Sequence, residues 1–419
     1  MTLDDAVADD LHLGAVDLSN SRSFARGFPH PYFTWLREHA PVFWHEPTDV
    51  TPEGEGFWVV TRHADVLAVQ TQPALFSSET GGGLRAGGGT AINDDVNAGR
   101  ALNATDDPKH AMLRGVVMQG FTLHAVAALE ADIRRQVDLL IDAFPENEPF
   151  DFVAAFAREV PLQAICMVLG VPQEDRLRLC EWVDAGLSTA SPAILDGQYA
   201  KKIADYGLEL IDRKRAAPRD DILSVIVNAR PEAAGGRPLN DGELRSFFLL
   251  LFAAGAETTR SAIAGGMKAL IENPEQMALL RAEPHRLKTA IEEFVRWTTP
   301  SIYKRRTARA DTELAGQEIR AGQKVTFWEM SANRDQRAFE RPFAFDITRS
   351  PNPHLGFGYG LHVCLGSMLA RLEMRVAYEA LLRRVAGFAL AGPEDWMPSN
   401  RLLGIRRLPI TITHKDQSP

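Results

Sequence analysis

The stretch from His354 to Arg371, His-Leu-Gly-Phe-Gly-Tyr-Gly-Leu-His-Val-Cys-Leu-Gly-Ser-Met-Leu-Ala-Arg, holds the side chain best placed to do chemistry, Cys364. Glycines at 356, 358, 360 and 366 let the backbone approach something bulky and flat, and Phe357 supplies an aromatic wall. After the cysteine, Leu365, Met368, Leu369, Leu372 and Val376 recur at helical spacing. The sulfur is therefore expected at a helix N-terminus, where free N–H groups and the positive end of the helix dipole favour a thiolate, the form that ligates a metal. A lone cysteine is more often a buried structural thiol, and that reading is kept for Cys166 and Cys180. Zinc is disfavoured because no second cysteine lies at ligand spacing. A dinucleotide site is disfavoured too, for want of a G-x-G-x-x-G fingerprint.

Three distant segments carry further candidates. Ala254-Gly-Ala-Glu-Thr-Thr259 places Glu257 beside Thr258 in an otherwise apolar tract, where polar groups need a reason. The ordinary reason is a hydroxyl bonding back to the carbonyl one turn earlier. Glu293 and Arg296 stand one helical turn apart, usually the mark of a surface ion pair of little energetic weight. His110 and Arg114 lie four apart after Asp106-Asp-Pro108, and Arg306 and His362 are further cationic or hydrogen-bonding groups. Each of these alone is ordinarily a surface residue.

These residues must be positioned by a mostly helical frame. Helical periodicity dominates from Ala125 to Asn273, broken at prolines such as Pro145, Pro172 and Pro218. Asn240, with Glu243 three residues on, reads as the start of a helix running to Asn273-Pro274, roughly 33 residues or about 50 Å. Strand-like material is short: Phe57 to Thr61, Thr312 to Val325, and Leu408 to Thr413. The fold class expected is mainly α with small β-sheets (α+β), with residues 1–419 forming one domain and 1–25 a flexible N-terminal segment. The glycine-rich stretch Glu79 to Thr90 reads equally as a lid over a pocket or a slack surface loop.

Composition narrows the classes. With 45% hydrophobic and 24% charged residues, the 419-residue chain can bury a core large enough to hold a cofactor. A net charge of −9 argues against a nucleic-acid binder. Three scattered cysteines make no disulfide framework, and the acidic N-terminus has no apolar signal region, so a cytoplasmic location is expected. The longest apolar run, Phe247 to Ala256, is far short of the ~20 residues of a membrane span.

Phe357-Gly-Tyr-Gly-Leu-His-Val-Cys-Leu-Gly366 resembles, at every defined position, the haem-binding signature of the cytochrome P450 family, F-x-x-G-x-H-x-C-x-G. Ala254 to Thr258 is similar to the family's oxygen-activation motif, Glu293 to Arg296 to its E-x-x-R motif, and His110 to Arg114 to its H-x-x-x-R. The resemblance implies haem b (iron protoporphyrin IX) with Cys364 as the axial iron ligand, and Phe357, Gly358, His362 and Gly366 around it. It further implies His110, Arg114, Arg306 and His362 on the propionates, and Thr258 and Glu257 managing oxygen and protons, with Gly255 leaving room beside a locally opened helix. Glu293, Arg296 and Arg349 would be structural.

The implied activity is a monooxygenase that inserts one oxygen atom from O₂ into a hydrophobic small molecule. Peroxide-driven oxidation, natural-product tailoring and a haem-thiolate sensor stand as alternatives. With no flavin or iron–sulfur motif in the chain, electrons would come from a ferredoxin and an NAD(P)H-dependent ferredoxin reductase, docking near Arg371 and Arg375; a monomer is expected. The pocket would be lined by the glycine-rich loop, Leu250, Ala253, Ala254, Ser301, Ile302, Leu402 and Leu403, mainly apolar or small side chains that favour a lipid, steroid or terpenoid-like ligand. Gly54 to Trp58, Arg296 to Pro300 and Pro351 to His354 resemble members related to sterol- and branched-lipid-oxidising mycobacterial enzymes.

Overall fold

The computed structural model describes residues 11–79, 87, 89, 91–95, 98–188 and 197–414. Of the glycine-rich stretch only Glu79, Gly87 and Gly89 fall among them, so whether it forms a lid, open or closed, lies outside the described residues.

Asp241–Glu272 is one helix of 32 residues. It starts where the sequence says it should, because Asn240 and Glu243 cap each other: the Asn240 side chain accepts from the Glu243 N–H and the Glu243 carboxylate from the Asn240 N–H, both at 3.0 Å. Four helices pack around it, Glu159–Leu169, Gly197–Ala216, Leu287–Thr298 and Ser367–Arg384. Among the described residues it is the one unbent helix long and apolar enough to cross a membrane, and 67% of its most apolar stretch is buried inside the protein. Its apolar character serves a protein core, with Phe247, Phe248, Phe252, Ile263, Met267 and Leu270 all closed off from solvent.

Beside the helices lies a five-stranded sheet in the order Val42–His45, Phe57–Val60, Lys324–Phe327, Lys304–Ala308, Phe76–Ser77. Phe57–Val60 and Lys324–Phe327 run parallel and the other pairs antiparallel. Both faces of this sheet are covered: Val60, Phe76, Val325 and Phe327 belong to one apolar cluster, and Phe43, Phe57 and Val59 to another. A three-stranded sheet joins Phe150–Asp151, Pro409–His414 and Val385–Leu390. The expected strands are present. The strand Lys304–Ala308 carries no apolar alternation, which is why its sequence hides it; what alternates is the side to which its cations point. In the pairing with Lys324–Phe327, Arg306 stands opposite Val325 and Arg305 opposite Thr326, on opposite faces.

The expectation of a flexible segment over residues 1–25 is corrected for 11–25. Leu18 and Phe24 are fully buried. Phe24 stacks on Trp328 with ring centroids 5.9 Å apart, and Asn400 donates to the carbonyls of Leu18 and Ser19. The segment is ordered by partners hundreds of residues away, which no local pattern announces.

The capping box carries a definite weight. Asn240→Ala is expected to destabilise the protein by about 1 kcal/mol, read as a lower urea midpoint at unchanged slope.

Candidate haem-thiolate site

The helix Ser367–Arg384 follows Cys364 by three residues, and Gly366 is its N-cap. The Cys364 N–H donates to the Phe357 carbonyl at 2.8 Å, closing the loop on itself. Gly358 and Gly360 have φ of 68° and 69°, the left-handed region glycine tolerates, so these two make the turn possible. Gly356 answers to a different need: a side chain there would meet Val295 Cγ1 at 2.6 Å, so its bareness lets the loop lie against the helix Leu287–Thr298. A side chain at Gly366 would meet no protein atom. Phe357 is half-buried, with the Arg371 guanidinium 4.3 Å above its ring.

Cys364 is deep in the fold by the number of atoms around it, yet its surface is open. Both statements hold for a side chain that faces a space inside the protein. Burial pushes its thiol pKa up, while the Gly366 N–H and the charges of Lys304, Arg114 and Arg371 pull the other way. Cys166 and Cys180 are buried, and burial pushes the Cys166 thiol up to about 12.

The four expected anion partners come from three segments, the helix that carries His110 and Arg114, the strand of Arg306 and the loop of His362, and converge. The rings of His110 and His362 stand 4.3 Å apart. His362 is pushed down to about 2 by burial and then by Arg306, His110 and Arg114. Arg306, nearly buried, is lowered to about 10 by burial against the weaker pull of Asp106 and Glu329. His110 is lowered by burial and by Arg114, with Asp107 opposing. Ser78 and His362 share a 3.0 Å hydrogen bond. Burial is the largest cause of these shifts, and the charges of Arg306 and Arg114 add to it at His362, a balance that a bound anion would relieve. Arg114 feels the charge of Cys364 and also acts on His362, so the cations and the sulfur belong to one site. An inward-facing thiol, a cap glycine bare on its open side and a convergent set of cations fit an iron porphyrin with two carboxylates.

The central helix presents its polar pair differently from expectation. Thr258 Oγ1 donates to the Ala254 carbonyl at 2.8 Å, the ordinary back-bond. Glu257 is buried and ion-paired with Arg260 one turn on. Gly255 is corrected: a side chain there would meet Ile165 Cδ1 at 2.8 Å, so its smallness admits the helix Glu159–Leu169, and the helix is assigned without a break. Midway along this helix Ala254 is open and Leu250, Ala253 and Thr258 are half open, among buried Phe247, Leu251, Ala256 and Thr259. Ser301 and Leu402 pair across an isolated bridge and are half-buried. Their neighbours Ile302 and Leu403, expected on the pocket wall, are corrected: alternation turns both into the cluster of Phe24, Phe33 and Trp328.

Glu293 and Arg296 are fully buried and bonded twice, at 2.6 and 2.7 Å, far from the surface pair their spacing usually means. Arg349 Nε donates to the same carboxylate at 3.1 Å. Arg371 and Arg375 do not form a free docking face. Arg371 is bonded through two nitrogens to Glu292, and Arg375 to Glu130 and Glu379, so each charge is met by an acid on a neighbouring element. Glu373 was missed. It is buried on the helix after Cys364, its hydrogen-bond partner is Thr259 on the central helix, and burial holds its pKa well above the carboxylate range. Its signal was present, since it falls four residues after Leu369 within the apolar stripe.

A sequence model of the cytochrome P450 family matches residues 195–412. The chain is 48% identical over 406 residues to cytochrome P450 126 of Mycobacterium tuberculosis, covering 96% of this chain and 98% of that one. It is 37% identical to the methyl-branched lipid omega-hydroxylase of the same organism, over 90% of each. With the steroid C26-monooxygenase of Rhodococcus jostii it shares 35% identity over 94% of this chain and 84% of the other. A solved Mycobacterium marinum cytochrome P450 in complex with pseudoionone superposes with a TM-score of 0.85 at 36% identity, covering 96% of this chain and all of that one. The chain belongs to the cytochrome P450 family, whose cofactor is haem, and it is a monooxygenase.

The cysteine side of the site has a testable acid response. Burial alone would raise Glu292, but the bonds from Arg371 and then His354 hold it at about 2. A depressed carboxylate contributes stability above its ordinary range that is lost as pH falls through its folded value. The stability gap between the protein and Glu292→Gln is therefore expected to be constant above about pH 5 and to close between pH 4.5 and 2 in denaturation curves.

Proposed function

We propose that Cys364 is the axial ligand of haem b and that the protein inserts one oxygen atom from O₂ into a lipid, steroid or terpenoid-like molecule. The observation that carries this is Cys364 itself, a thiol deep in the fold whose open surface faces an interior space beside a cluster of cations. Residues 1–419 act as one domain in this reading.

His110, Arg114, Arg306 and His362 would hold the two propionates, since these four basic groups act on one another at one place. Phe357, Gly358 and Gly366 would border the cofactor, and a side chain at Gly366 would meet no protein atom within 4 Å. Haem, once bound, supplies the iron at which O₂ is activated. The chain's own groups do the rest. Leu250, Ala253 and Ala254, with Ser301 and Leu402, offer a mainly apolar or small lining that selects a hydrophobic ligand and keeps bulk water away. Thr258 can turn its hydroxyl from the Ala254 carbonyl toward the site, a local exchange of one hydrogen bond for another. Glu257 must leave Arg260 to pass a proton forward, so Arg260 governs when it can do so.

The substrate class is supported by relatives named for methyl-branched lipids, steroids and linalool. Electrons would come from a separate ferredoxin and its NAD(P)H-dependent reductase. Because Arg371 and Arg375 are already met by Glu292 and Glu130, docking would not depend on those two charges.

Two experiments test this reading. The reduced, CO-treated protein should show the long-wavelength band of a thiolate-ligated haem, and Cys364→Ser should abolish it; a band that survives the substitution sinks the assignment. With ferredoxin and reductase supplied, Thr258→Ala should keep consuming NADPH while product per NADPH falls roughly tenfold and peroxide rises. Unchanged coupling would remove Thr258 from the mechanism.

A further inference from the structure

The strand that carries Arg306 carries a second cation, Arg305, on its opposite face. Arg305 is completely buried. Its Nη1 donates to the Asn93 carbonyl at 3.1 Å and to Asp94 Oδ1 at 2.9 Å, and its Nη2 to Thr307 Oγ1 at 3.1 Å. Its backbone N–H donates to the Gly89 carbonyl at 2.9 Å. Lys324 on the neighbouring strand is likewise buried, bonded to Glu53 at 2.5 Å with Glu55 at 3.5 Å. The Asp94 N–H completes the link by donating to Glu53 at 3.3 Å.

The described residues between 89 and 95 are therefore strapped to the sheet by charge, through backbone carbonyls and one carboxylate. They are also wedged by packing. Ile92 is buried in the cluster that contains Ile302 and Leu403, the immediate neighbours of Ser301 and Leu402. The Tyr303 side chain lies against the Ile92 backbone, and Arg401, next to Leu402, feels the charge of Asp95. Ile92 and Asp95 thus lie beside neighbours of the residues assigned to the substrate wall, and Asp94 is bonded to Arg305, the neighbour of Arg306.

We propose that Arg305 is a positioning residue that sets ligand selectivity, holding residues 91–95 in register with the wall formed by Ser301 and Leu402. The proposal rests on the reading that these two line the substrate site. Arg305 belongs to neither apolar cluster that covers the sheet. What Arg305 adds is a bond to a segment more than two hundred residues away in sequence. A buried guanidinium bonded to a carbonyl, a carboxylate and a hydroxyl resists displacement because moving any acceptor leaves a charge without its full complement in the interior. Loosening this strap lets the segment and its wall shift as a unit.

The test uses the haem-loaded protein and two iron-ligating probes, imidazole, which needs little beyond the iron, and clotrimazole, which must also fit the walls. In Arg305→Gln and in Asp94→Asn, the ratio of the two dissociation constants should change by roughly fivefold or more while imidazole affinity stays within about twofold, and the double variant should change it no further than the larger single. Arg305→Lys, which keeps the charge but loses the fork, should fall with the glutamine variant. If Arg305→Gln does not fold, Asp94→Asn, a change on the partly exposed loop side, decides. A ratio unmoved in variants that keep the CO band overturns the proposal. A parallel loss of both probes also overturns it, because that is what a purely structural role produces. A native protein lacking the CO band would instead sink the haem-thiolate assignment.

Discussion

Arg296 makes five hydrogen bonds without leaving the protein interior. Two go to Glu293, and three go to the carbonyls of Asn333, Pro342 and Ala344. The pair is expensive to bury, and only this complete set of acceptors makes it stable. The same carboxylate receives Arg349, the Asp346 N–H and Asn352, while the Asn333 side chain receives the Leu355 N–H. The chain between 333 and 355 is thereby fixed to the helix Leu287–Thr298 before it enters the cysteine loop. Where the sulfur sits depends on this network more than on any contact of the sulfur itself.

From that platform the site is assembled as a set of constraints on polar groups. The cysteine loop is pressed against the helix through Gly356 and turned by Gly358 and Gly360. The cations at 110, 114, 306 and 362 are brought together at the cost of their own protonation equilibria, a potential directed at an anion. The central helix is buried on most of its surface and open over Leu250, Ala253, Ala254 and Thr258. Charge and apolar surface are thus separated, which suits a cofactor with an acidic edge and a substrate without one.

A second polar network, around Arg305 and Lys324, does for the opposite face of the sheet what Arg296 does for the cysteine loop. In both, a buried arginine binds a carboxylate and backbone from a distant segment, three carbonyls for Arg296 and the Asn93 carbonyl for Arg305, a use to which its rigid, five-donor fork is suited. The two strand neighbours Arg305 and Arg306 thus divide their work by face, one turned to a loop and one to the site.

The long central helix with its capping box, the cysteine on the approach to a helix, and the family were legible along the chain, because local periodicity, cap chemistry and motif spacing are written in consecutive residues. The sequence also named most of the groups that gather at the site. Only the tertiary structure decided what those groups face. Gly255 and Gly356 serve helix packing, Ile302 and Leu403 turn into a core cluster, Arg371 and Arg375 already have acids, and residues 11–25 are ordered by Trp328 and Asn400. The strand Lys304–Ala308 went unread because it carries no apolar alternation, whereas Glu373 stood within the apolar stripe of its helix. Burial, pairing and the side to which a residue points are set by neighbours far along the chain, and spacing along the chain does not specify them.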